Sequence, residues 1–177
     1  KGLLKTAIRD DNPVVIFEDK LMYQDKAFVP EEEYRLPFGK AAILREGTDV
    51  TLIGTSSMRQ VCEKAALLLE QDGINAEVID PRTLVPLDEI TILDSVKRTS
   101  RAIVVDEGHQ NFGTTAEIAS RISEKAFYFL DAPVVRMGAM DVPIPFSPVL
   151  EDITVPTAQG VADKARKLVA GELIHVL

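Results

Sequence analysis

Two rhythms of apolar residues run along this chain. Short runs rich in β-branched residues, Val50–Ile53, Ala76–Ile79, Ala102–Val105 and Val134–Met137, alternate with longer stretches whose apolar positions fall three and four residues apart. The first rhythm predicts strands covered on both faces, and the second predicts amphipathic helices. Val61, Ala65, Leu68 and Leu69 mark one helix, which Asp72-Gly73 closes with the glycine as C-cap. Leu87 to Arg98 predicts a second, starting near Asp88. Thr115, Ile118, Ala119 and Ile122 mark a third, and Val161, Ala165, Leu168 and Val169 the last. Gly39 to Gly47, with Ala41, Ile43 and Leu44, predicts an edge strand. Strands alternating with helices give an α/β fold, a three-layer sandwich around a mostly parallel sheet.

Four segments lie outside this alternation. Residues 2–9 place Leu3, Leu4, Ala7 and Ile8 on one helical face, and Pro13 ends that helix by disfavouring α geometry at Asn12. Val14-Val15-Ile16-Phe17 then predicts a buried strand. From Leu21 to Pro37 periodicity stops among Pro30, Glu31-Glu32-Glu33 and Pro37, which predicts a linker. Asp141 to Pro156 holds Pro143, Pro145, Pro148 and Pro156 and predicts an extended, stiffened surface segment. The chain opens at Lys1 inside a helical pattern, so a piece of a longer polypeptide is expected.

Charge narrows the partners. At a formal net charge of −8 the chain argues against nucleic acid and anionic membranes, which both need a cationic face. No apolar run approaches the roughly 18 residues of a membrane span. The single Cys62 excludes an internal disulfide and a cysteine cluster for zinc. An intracellular setting is expected, cytoplasmic or, in a eukaryote, the mitochondrial matrix.

Candidate chemistry is sparse. Asp49–Gln60 reads strand, glycine turn, hydroxyl-rich cap, helix, with Ser57 and Gln60 at capping-box spacing. Helix amides at Gly54-Thr55-Ser56-Ser57 can cradle a phosphate, so a stand-alone module for a phosphorylated ligand is one reading. The other is a capped helix start, since the turn has one glycine and no Lys-Ser/Thr ending. Thr114 and Glu117 repeat the capping spacing. His109 follows a strand at the end where ligands gather, with Asp106 or Glu107 placed to orient it as an acid/base; the alternative is an exposed loop histidine. His175 in the tail reads as incidental, and Cys62 as a structural thiol. The pairs Glu151-Asp152 and Asp10-Asp11 read as solvated surface. Ala7 to Asn12 combines the carbonyls of a helix end with Asp10 and Asn12, hard oxygen ligands within one turn that suit a cation.

Several segments together carry a resemblance: KGLLKTAIRDDNPVVIFEDKLMY, LPFGKA, REGTDVTLIG, EVIDPRTLVPLDEITILDSVKRT, VVDEG, AEIASRI, FLDAPVVRM and DVPIPFSPVLED. In this order they resemble the beta subunit of the thiamine-diphosphate-dependent 2-oxoacid dehydrogenases, of pyruvate, acetoin or branched-chain type. The resemblance implies a remnant of the pyrimidine-binding domain over residues 1–20, a linker over 21–37, and a transketolase C-terminal-like domain over 38–177. It implies no catalytic or cofactor-binding residue in this chain. Thiamine diphosphate and magnesium belong to the absent pyrimidine domain and the alpha subunit. It implies a potassium site at Ala7, Ile8, Asp10 and Asn12, with a further ligand from upstream. It implies that Asp131, in the Leu-Asp-Ala-Pro motif, faces the basic subunit-binding domain of the acyltransferase core; a turn before Pro133 is the plainer role. The expected partners are an alpha subunit and a second beta subunit in an alpha2-beta2 assembly, with the segment inactive alone.

Overall fold

The computed structural model describes residues 1–172; His175 lies outside the described residues. Five strands form one sheet in the order β1-β3-β2-β4-β5. These are β1 (Ala42–Arg45), β2 (Val50–Gly54), β3 (Ala76–Asp80), β4 (Ala102–His109) and β5 (Val135–Ala139). Strands β2 to β5 pair in parallel, and β1 joins the β3 edge antiparallel. Helices α2 (Met58–Glu70) and α6 (Ala158–Val169) cover one face, and α3 (Glu89–Thr99) with α4 (Thr114–Ala126) the other.

Strand β4 shows why these runs are nearly continuous in apolar residues. Ile103 and Val105 enter the core under α2 and α6, whereas Ala102 and Val104 enter the core under α3 and α4. Successive side chains point to opposite faces, and here both faces are dry. Each such side chain fully buried is worth about 1.5–3 kcal/mol. The contact between α2 and α6 is lined by Cys62, Ala65 and Ala66 on one helix and Ala162 and Ala165 on the other. Small residues let the two helices approach closely. Helix α2 ends as its sequence predicts: Gly73 takes φ +77°, and Ile74 N–H donates to the Leu69 carbonyl across the turn.

Asp88 caps α3, accepting from Thr91 N–H at 3.3 Å. The two capping boxes do not form. Ser57 sits in helical geometry and makes no side-chain cap, because the backbone satisfies the helix start itself. Met58, Arg59 and Gln60 N–H donate to the carbonyls of Thr55, Ser56 and Ser57. Helix α4 is capped at Gly113, which makes Thr114 its first residue and leaves the Thr114 hydroxyl buried without a partner.

Two predicted segments differ. Residues 14–17 form no strand, and Val15 and Phe17 are 76% and 89% exposed. A strand needs a neighbour, and among the described residues no strand pairs with this run. The proline-rich segment 141–156 is not extended throughout: Pro148–Thr154 forms helix α5, with Pro148 in the first turn, where its missing N–H costs nothing.

Helix α1 (Gly2–Ile8) lies outside the sheet, and residues 30–36 run along it. The Lys1 ammonium meets the carbonyls of Pro30, Glu31 and Glu32, and the Thr6 hydroxyl donates to Leu36 O at 2.7 Å. Glu33 pairs with Arg9 at 3.1 Å. Residues 21–37 also contain a 3-10 turn, Leu21–Gln24.

Candidate functional site

The expected sites lie apart. Ala7, Ile8, Asp10 and Asn12 sit at the exit of α1, and Asp131 sits at the amino end of the sheet. Gly54–Ser57 and His109 sit at its carboxyl end.

At the α1 exit the last carbonyls are only partly used. Asp10 N–H donates to Ala7 O at 3.2 Å, and Arg9 N–H to Thr6 O at 3.0 Å. Asn12 donates twice to one oxygen of Asp10, from its backbone at 2.9 Å and its amide nitrogen at 3.0 Å. Those two bonds hold the Asp10 carboxyl below its ordinary value, so it stays ionised. The donors are all hard oxygens with one fixed carboxylate, and that chemistry fits a cation. Among the described residues no group of three or more His, Cys, Asp or Glu side chains could hold a metal, so carbonyls must supply much of any such site.

Asp131 is tied down on two sides. Its backbone N–H donates to Ser100 O at 2.9 Å, where α3 ends in a left-handed residue. Its carboxylate lies 3.0 Å from the Arg101 guanidinium. Phe127, Tyr128 and Phe129 stand exposed just before it, with the Lys97 ammonium 5.5 Å from the Phe129 ring centre.

The turn at the carboxyl end is closed to anions. The amides that would face a phosphate are already bound to Thr55, Ser56 and Ser57 carbonyls. The Thr55 hydroxyl donates to Asp106, and the Ser57 hydroxyl to Glu107 at 2.6 Å. Both carboxylates therefore stand where an anion would sit, and the turn fits neither a phosphate nor the diphosphate of a cofactor. Gly54 serves packing instead: a Cβ there would meet Arg59 N at 2.7 Å, so only glycine lets α2 start so close to β2. His109 is exposed and its Nδ1 lies 2.9 Å from the Met140 carbonyl, so Nδ1 is the donor. Neither Asp106 nor Glu107 orients it, because Ser57 and Thr55 have taken them. Burial pushes the Cys62 thiol well above its ordinary range, as suits an inert core residue.

The profile described as "Transketolase, C-terminal domain" matches residues 39–161. The chain belongs to this family. It is 48% identical over 157 residues to the "Acetoin:2,6-dichlorophenolindophenol oxidoreductase subunit beta" of Bacillus subtilis, covering 89% of this chain and 46% of that relative. It is 44% identical over 168 residues to the "Pyruvate dehydrogenase E1 component subunit beta" of Rickettsia felis, covering 95% of this chain and 52% of that one. Among solved structures it is similar to a "Split gene transketolase, inactive beta4 tetramer", with TM-score 0.69 and 29% identity, over 82% of this chain and 46% of that chain. The resemblance to beta subunits is thus borne out, and the chain spans about half the length of these relatives. The five strands and their helices fall almost wholly inside the transketolase C-terminal match. The exit of α1 precedes it.

Some functional neighbours were not visible in the motif. Arg101, the partner of Asp131, lies thirty positions away in sequence, and nothing in the Leu-Asp-Ala-Pro pattern points to it. Glu77, fully buried and paired with Arg98 at 2.5 Å, was detectable as a lone acid inside an apolar strand run.

Proposed function

We propose that this chain is the C-terminal part of the beta subunit of a thiamine-diphosphate-dependent 2-oxoacid dehydrogenase of pyruvate or acetoin type. The observation that carries this is identity of 44–48% to two such beta subunits over about nine-tenths of the chain. In this reading the whole assembly decarboxylates a 2-oxoacid, or cleaves acetoin, and passes the acyl group to lipoamide. Thiamine diphosphate and magnesium are held by the alpha subunit and by a pyrimidine-binding domain whose last helix and strand are residues 1–20. Residues 21–37 link that domain to residues 38–177. The uncovered Val14–Phe17 run supports this division, because it has strand composition and no strand beside it.

The segment itself serves assembly and docking. A second beta subunit packs against it within an alpha2-beta2 tetramer; the beta-chain tetramer named for the split transketolase supports beta–beta contact. Asp131 and its aromatic neighbours meet the basic subunit-binding domain of the acyltransferase core. Potassium sits on oxygens of Ala7, Ile8, Asp10 and Asn12. The complex works in the cytoplasm, or in the mitochondrial matrix of a eukaryote. The rival reading, a phosphate-binding module at Gly54–Ser57, is opposed by Asp106 and Glu107 at that turn.

The test compares two preparations given thiamine diphosphate, magnesium, lipoamide and pyruvate or acetoin. The isolated chain is expected to show no turnover, and a full-length beta subunit containing it, joined with an alpha subunit, is expected to form acyl-lipoamide. Turnover by the isolated chain, or none by the assembly with either substrate, would overturn the reading.

A further inference from the structure

We propose that the outer edge of β5 is a docking slot for an extended peptide segment carrying one acidic side chain, which would add as a sixth strand. Strand β5 ends the sheet on the side opposite β1. Its Ala139 carbonyl accepts from Gln110 N–H on the β4 side at 3.0 Å, whereas the next residue, Met140, donates its N–H to Thr154 O at 2.9 Å. Successive residues of a strand turn their backbone groups to opposite sides, so Arg136 and Gly138 direct theirs outward, as Met140 does. Among the described residues neither has a backbone partner there. The chain thus pairs one outward group of this edge with its own Thr154 and leaves the next two open.

A groove of about 370 Å³ runs beside these open groups, between β5 and a wall made of Thr154, Thr157, Gly160 and Lys164. Neighbouring strands need only about 4.8 Å between backbones, so a single extended segment is the natural occupant. The charges select it further. The net charge of the chain is −8, yet Lys164 faces this groove with no carboxylate partner among the described residues. Arg136 lies on the same edge, its guanidinium donating to Gln110 O at 3.0 Å. Asp152 also lines the groove, so one acidic side chain fits and an acidic run does not. A second copy pairing edge to edge is disfavoured, since it sets Lys164 and Arg136 of one chain against those of the other. Main-chain bonds would supply affinity and the Lys164 contact the preference. This inference does not rest on the dehydrogenase reading.

The test uses the 177-residue chain, labelled for amide NMR, and a blocked six-residue peptide of alternating valine and threonine with one central glutamate. Saturable shifts at the Arg136 and Gly138 amides are expected, with slowed exchange of both. Lys164→Glu, a helix-compatible change, should weaken binding about fivefold. Methylating alternate peptide nitrogens should abolish it. The proposal is overturned by no binding, by shifts elsewhere, or by a methylated peptide that binds equally well. It is also overturned if the edge amides respond only to dilution of the chain, which would make the occupant a second copy.

Discussion

The guanidinium of Arg101 lies 3.0 Å from the carboxylate of Asp131, so the acidic residue of the proposed docking edge is already half of an ion pair. The Arg101 side chain is 24% exposed and that of Asp131 57%, so the arginine is the covered member and the carboxylate faces solvent. A basic partner meets a charge held in place, with less side-chain freedom left to lose on binding. Asp131→Asn should lower the association rate with the subunit-binding domain by about tenfold and flatten its salt dependence. Folding stability should move by less than about 1 kcal/mol, as for other exposed pairs. Stopped-flow mixing at two ionic strengths checks this, and an unchanged rate removes Asp131 from the interface.

A second ion pair is a matter of stability. Glu77 is completely buried in β3 and reaches Arg98 of α3 with both carboxylate oxygens, at 2.5 and 2.6 Å. Gly47 N–H lies 3.3 Å from the same carboxylate. Arg98→Met leaves a buried charge with one weak donor, and should cost about 3–5 kcal/mol in a urea melt. Adding Glu77→Gln to that variant should recover much of the loss, because the uncompensated charge is gone. A double variant as unstable as the single one would show that the arginine acts through packing alone.

The parts of the fold that follow from periodicity were legible: four strands, their helices, and the glycine stop at Gly73. Where several residues compete for one polar group, sequence spacing misled. Ser57 and Gln60 stand at capping distance, but Ser57 donates to Glu107 and Gln60 to Asp25, residues brought near only by the fold. Val14–Phe17 reads as a strand because its composition is one, yet pairing is a property of two strands, and among the described residues none lies beside it. The residues proposed for the cation lie within six positions of one another and are therefore readable. Arg101 and Lys164 owe their roles to topology, which places them beside Asp131 and the β5 edge.

Asp10 gives a pH prediction with a definite sign. The two bonds from Asn12 exist in the folded chain and lower the Asp10 carboxyl from its ordinary 3.8. A depressed carboxyl adds stability that is fully present above 3.8 and is lost as pH falls through its lower folded value. Asn12→Ala removes the side-chain bond and keeps the backbone one, so the carboxyl should move only part of the way back toward 3.8 in a titration followed by NMR at its carboxyl carbon. In a full-length beta subunit the same change should weaken the extra thermal stability given by potassium over sodium. A titration curve identical to that of the parent chain would mean that the Asn12 side-chain bond does not persist in solution.

The turn that opens β2 and α2 offers the sharpest negative expectation. A phosphate there must displace Asp106 from Thr55 and Glu107 from Ser57, and would still find the Met58, Arg59 and Gln60 amides bonded to backbone carbonyls. Inorganic phosphate and nucleotides should therefore produce no saturable shift at the Ser56 and Ser57 amides. Making Asp106→Asn and Glu107→Gln together removes the two negative charges but leaves the amides occupied, so the doubly substituted chain should remain silent. If it binds phosphate, charge alone was closing the site; if the parent chain binds, the turn is a ligand site and the rival reading of a phosphate-binding module gains the support it lacks.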